Sequence, residues 1–73
     1  MRSLQDLQQL AELALLSETS FNVATVTVDP SDDECANVEI WTGDMRMTTV
    51  RCSRKSTAKE IEEELKRTLR AFR

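Results

Sequence analysis

The chain has no histidine and no tyrosine, and only one glycine, one proline, two cysteines and three aromatic residues among its 73 positions. Without histidine, the commonest general acid and base is missing, and any Ser or Cys nucleophile lacks an imidazole to activate it. A single glycine excludes a Gly-rich loop that cradles phosphate, and neither H-E-x-x-H nor a calcium-loop spacing occurs. Two cysteines without histidine are too few ligands for zinc. The expectation is therefore a protein that is not an enzyme and that carries no cofactor or metal. Scarce Gly and Pro also argue against a linker or a disordered chain. The longest apolar run, Leu13 to Leu16, is far short of the roughly 20 residues of a membrane span. Gln5, Asp6 and Glu12 stand where the apolar core of a signal peptide would run, so a cytoplasmic location without membrane contact is expected.

Charge, which the chain has in abundance, is sorted by position. Residues 1 to 44 carry one base against nine acids, a net of −8, and residues 45 to 73 carry nine bases against four acids, a net of +5. Such asymmetry governs which partners are attracted or repelled. Length sets a further bound, because a chain this short buries only about 60% of the surface its unfolded form exposes.

Periodicity predicts five elements. Ser3, three residues before Asp6, caps a helix over Leu4 to Leu16, in which Leu4, Leu7, Leu10, Ala11, Ala14 and Leu15 recur at helical spacing. Leu13 and Leu16 widen its apolar arc, and in a core short of apolar area they are expected to be buried, with a second contact surface as the other reading. A first strand starts at Phe21 and gathers the β-branched Val23, Thr25, Val26, Thr27 and Val28 before Asp29-Pro30 ends it. A second, Ala36 to Thr42, and a third, Met45 to Cys52, flank Gly43-Asp44, a pair suited to a type II′ hairpin turn. Thr57 and Glu60 form a capping box for a last helix over Ala58 to Phe72, with Ile61, Leu65, Leu69 and Phe72 along one side. The fold class is α+β: a single domain of order α-β-β-β-α, with a three-stranded antiparallel meander and both helices on one face.

With Gly43 and Asp44 as the loop, paired positions sum to 87. Trp41 then faces Arg46, Ile40 faces Met47, and Cys35 faces Cys52 close enough for a disulfide. The competing reading is two unrelated reduced thiols, as suits a reducing compartment. Ala36, Val38, Ile40, Met45 and Met47 would meet the helices, while Trp41, Arg46, Thr48 and Val50 would share the open face as a docking patch. Val50 and Cys52 fall out of phase with Met45 and Met47, so a bulge that turns them inward is the alternative.

Two charged clusters remain. Asp29, Asp32, Asp33 and Glu34 form an acidic connection that is best read as solvated and available to a basic partner. Placed on the elements, the acids and bases are expected at different ends of the body. Arg51, Arg54, Lys55 and Lys59 surround the start of the last helix, where free amides favour an anion such as phosphate. The order α-β-β-β-α with Ser53-Arg54-Lys55-Ser56-Thr57-Ala58-Lys59 opening the last helix resembles the double-stranded RNA-binding domain. A Ser-Lys-Lys-x-Ala-Lys run at this place grips phosphates in that family. The resemblance implies phosphate contacts through the matching residues. One extra residue separates Lys55 from Ala58 here, and the acidic connection stands where that family has a Gly-Pro-x-His type loop.

The function these features favour is a small interaction module that binds a protein. The type is an inhibitor, of the kind phages and mobile elements encode, acting on a nucleic-acid-handling protein. Direct binding of double-stranded RNA is the second reading. A homodimer through the extra leucines of helix one or through the open sheet face would supplement a thin core.

Overall fold

The computed structural model describes residues 1–18 and 23–71. Its elements are α1 (Leu4–Glu18), β1 (Val23–Asp29), β2 (Asp32–Thr42), β3 (Met45–Ser53) and α2 (Ala58–Arg70). The strands form one antiparallel meander of order β1-β2-β3. The order, the meander and the single small α+β body are those expected. Phe21 and Phe72, placed by the sequence in the first strand and the last helix, lie outside the described residues.

The two helices lie on one face of the sheet and run in the same direction. Arg2 Nε donates to the Ser56 carbonyl at 3.0 Å where both begin, and Arg70 pairs with Glu18 at 3.0 Å where both end. Between these ties, Leu7, Ala11, Ala14 and Leu15 of α1 and Ile61, Leu65 and Leu69 of α2 join Ala24, Ala36, Val38, Ile40, Val50 and Cys52 of the sheet in a single core. Both helices start as their sequences dictate. Ser3 Oγ accepts from the Asp6 amide at 3.1 Å. Thr57 Oγ1 accepts from the Glu60 amide at 3.2 Å, and the Glu60 carboxylate accepts in return from the Thr57 amide at 3.0 Å. The Thr57 amide and, at 2.9 Å, the Thr57 hydroxyl both donate to the Glu60 carboxylate and so depress its pKa. No helix among the described residues is long and apolar enough to cross a membrane.

Leu13 and Leu16 are not buried; they are 57% and 78% exposed. At 100° per residue both fall on the arc opposite Leu7, Ala11 and Ala14, and the sheet-facing arc is already filled. β2 also begins four residues earlier than Ala36. The reason is local: the Asp29 carboxylate accepts from both the amide and the hydroxyl of Ser31, at 2.8 and 2.7 Å, and so closes a turn of only Pro30 and Ser31.

Among the described residues Gly43 alone has a positive φ, 60°, as a II′ turn with glycine first requires. The hairpin leaves that turn in the expected register, with Thr42 opposite Met45 and Trp41 opposite Arg46. The register then slips by one residue between Ile40 and Trp41, and Met47 is the extra residue of a β-bulge. Beyond it Ile40 faces Thr48, Val38 faces Val50, and Ala36 faces Cys52. This slip overturns the Cys35–Cys52 disulfide. Cys35 is opposite Ser53, so the two cysteines point to opposite faces, and both are free thiols. The slip also brings Val50 in, whereas Met45, which keeps its expected pairing with Thr42 at the hairpin tip, is not in the core but 73% exposed. The driving force is the burial of Val50 and Cys52, which an unbroken register would have left in water.

Leu65, 1% exposed at the centre of α2's buried face, should be the costliest kind of truncation: Leu65→Ala is expected to destabilise the fold by about 2–5 kcal/mol. Leu16→Ala is expected to stay within about 0.5 kcal/mol. Urea denaturation followed by circular dichroism measures both.

Candidate functional site

The start of α1, the β1–β2 turn and the junction of β3 with α2 meet at one end of the molecule. Backbone bonds define the meeting: the Arg2 amide donates to the Arg54 carbonyl, and the Arg54 amide to the Glu34 carbonyl, both at 2.8 Å. The Arg54 side chain adds Nε to the Arg2 carbonyl at 3.0 Å and Nη1 to the Asp33 carbonyl at 2.8 Å. An open groove of about 700 Å³ lies here, with Arg2, Asp6, Arg54, Lys55 and Thr57 among its lining residues.

Both signs of charge share this end, which corrects the expectation that they separate. Arg51 Nε lies 2.7 Å from Asp29 and its Nη2 3.9 Å from Asp32; Lys55 lies 3.2 Å from Glu34, and Arg2 2.7 Å from Asp6. Arg2, Arg51, Arg54, Lys55 and Lys59 therefore balance Asp6, Asp29, Asp32, Asp33 and Glu34. The acidic connection is not a free anionic loop, since of its four acids only Asp33 makes no ion pair among the described residues. Of the four phosphate candidates, Arg51 and Lys55 already hold carboxylates. Arg54 donates to carbonyls only, and Lys59 is exposed without an ion pair among the described residues.

Asp29 is the buried acid of the cluster, 8% exposed. Its pKa falls from the usual 3.8 to about 2, because the two Ser31 hydrogen bonds and then the Arg51 guanidinium stabilise the carboxylate. The thiols move the other way. Burial in the core pushes Cys52 up to about 11. Partial burial raises Cys35, whose thiol donates to Asp32 at 3.6 Å. Both sulfurs stay protonated at neutral pH and are poor nucleophiles. Among the described residues no three carboxylates or thiols gather in a way that holds a metal ion.

The second candidate region is the helix-free face of the sheet. Trp41 is here in the central strand, opposite Val23 on β1 and Arg46 on β3. Its indole Nε1 donates to Thr25 Oγ1 at 3.0 Å, which fixes the ring, and Arg46 turns to Glu39 at 3.3 Å. Thr48 and Val50 do not belong to this patch. Past the bulge they face Ile40 and Val38 on the helix side, and Val50 is 6% exposed. Val23, 60% exposed beside Trp41, takes their place; the alternation of β1 alone marks it, once its partner strand is known. Arg2 was also missed as a member of the ionic end. Its i,i+4 spacing to Asp6 is visible in the sequence, whereas its reach to Ser56 depends on the parallel helices.

No protein-family model, curated protein or solved structure matches the chain.

The lowered pKa of Asp29 has a signed consequence. Its contribution to stability is complete above pH 4 and is lost as the pH falls through about 2. Asp29→Asn is expected to be less stable than wild type at pH 7 and to lose the part of the acid-limb slope between pH 4 and 2 that Asp29 supplies. Denaturant midpoints measured across that range test this.

Proposed function

We propose that the chain is a non-catalytic interaction module that binds a protein through the helix-free face of its sheet. The observation that carries the reading is Trp41: an aromatic ring in the central strand, on the face no helix covers, held in place by Thr25 and flanked by Val23 and Arg46. Trp and Arg are the residues most often found to anchor interfaces, and a pre-fixed ring loses little freedom on binding. The partner class that best suits the rest of the surface is a basic, nucleic-acid-handling protein, which the module would inhibit in the manner of small phage- or mobile-element-encoded proteins. Support for this comes from the surplus of unpaired acids: among the described residues Glu12, Asp33, Asp44, Glu60, Glu63 and Glu64 form no ion pair, against Arg54, Lys59 and Arg67 among the bases. Long-range attraction of this kind mainly speeds encounter. Two free thiols suit a reducing compartment, and the cytoplasm is the proposed site of action.

A second reading, binding of a double-stranded RNA backbone, is favoured by one observation. Among the described residues no carboxylate contact neutralises Lys59 or Arg54 at the start of α2. The pairing of Arg51 and Lys55 with acids weakens it.

Affinity capture from host extract with the tagged chain, followed by mass spectrometry, separates the readings. A stoichiometric protein is expected, with binding weakened by about 2 kcal/mol or more in Trp41→Ala. Capture that Trp41→Ala leaves unchanged removes the sheet face as the site. Salt-sensitive retention of an RNA duplex, lost in Lys55→Glu plus Lys59→Glu, would favour the second reading instead.

A further inference from the structure

The two edges of the sheet are not alike. Hydrogen bonds in an antiparallel ladder alternate, so every second residue of an edge strand turns its amide and carbonyl outward. The bond from the Arg54 amide to the Glu34 carbonyl sets the phase of β3. Even positions from Thr48 to Cys52 face β2, while Thr49 and Arg51 face away. The same phase carried through β2 turns Ala24, Val26 and Val28 of β1 outward. On that edge Gln8 of α1 donates to the Ala24 carbonyl at 2.8 Å, and Pro30 follows directly. Among the described residues β3 has no such cover. No side chain among the described residues bonds the outward groups of Thr49 or Arg51.

Exposed edges are normally defended by lysine, proline or charges that project from the strand. From Thr48 to Ser53, β3 has no lysine, no proline and one charge, Arg51. That charge is drawn away from the edge, across the sheet, by its 2.7 Å bond to Asp29. Near the hairpin Arg46 is likewise turned to Glu39, and the bulge at Met47 ends the regular edge.

We infer that β3 pairs antiparallel with β3 of a second copy of the chain, making one six-stranded sheet across a two-fold axis. The edge is its own complement. With Val50 at the axis, the outward amide and carbonyl of Thr49 meet those of Arg51 of the second copy, and the exchange is repeated on the other side of the axis. On the helix side Val50 falls opposite its own copy and Thr48 opposite Cys52, a pairing that places no charges of like sign opposite one another. This surface is separate from the Trp41 patch and leaves it free.

The test is sedimentation velocity over a concentration series, with amide hydrogen exchange by NMR. Wild type is expected to dimerise as concentration rises, with the Thr49 and Arg51 amides slowing in step. Thr49→Pro removes an outward donor without touching the β2 ladder and should weaken association roughly tenfold or more. Thr49→Lys, which restores a charge to the edge, should do the same and decides the matter if the proline variant is poorly folded. A chain that stays monomeric at its highest soluble concentration overturns the inference. So does association that both folded variants retain, or that only Leu13→Glu and Leu16→Glu abolish.

Discussion

Arg54 joins three parts of the chain that are distant in sequence. Its amide and guanidinium hold the β1–β2 turn through the Glu34 and Asp33 carbonyls, and its carbonyl and Nε hold Arg2 at the entrance to α1. Among the described residues neutral carbonyls accept all of the guanidinium's bonds, so the residue acts by geometry, as a planar fork with fixed donor directions. That constraint holds the two helix starts, each set locally by its own cap, side by side. With their starts level and their last turns tied by Arg70 and Glu18, they lie parallel over one face and leave the other bare. The bare face and the ionic end are thus two outcomes of one junction.

Much of the fold is legible in local chemistry. The capping box at Thr57 and Glu60, the glycine of the hairpin turn and the spacing of Ile61, Leu65 and Leu69 each depend on residues within a few positions, and each is found where the pattern puts it. The departures all involve competition between distant groups. Leu13 and Leu16 look like core because nothing nearby shows that Ala11, Ala14 and Leu15 already satisfy the sheet. The hairpin obeys its turn for two pairs and then yields to the demand of Val50 and Cys52 for burial. The candidate site was legible in part: Trp41 and Arg46 face each other on the open side, but Thr48 and Val50 were lost to the same slip.

Charge illustrates why linear layout is a weak guide to a surface. The acidic first half and basic second half invite a picture of a dipolar body. A meander reverses direction twice, however, and so returns the end of β3 to the side of the β1–β2 turn. Opposite charges distant in sequence become neighbours, and the excess at that end is cancelled internally. What remains to act over distance is the scattered surplus of acids elsewhere. The ionic end is better understood as part of the fold's fastening than as a landing place for a polyanion.

The bulge at Met47 divides β3 into two segments with separate obligations. Residues on the helix side of it are committed to the core in alternation, and those on the turn side answer only to Gly43 and Asp44. The extra residue works as a phase joint. It lets the tip keep whatever register its turn prefers without sending that choice down the strand. The tip, which carries Trp41, Arg46 and Met45, is therefore free to diversify in sequence at little cost to the body that supports it.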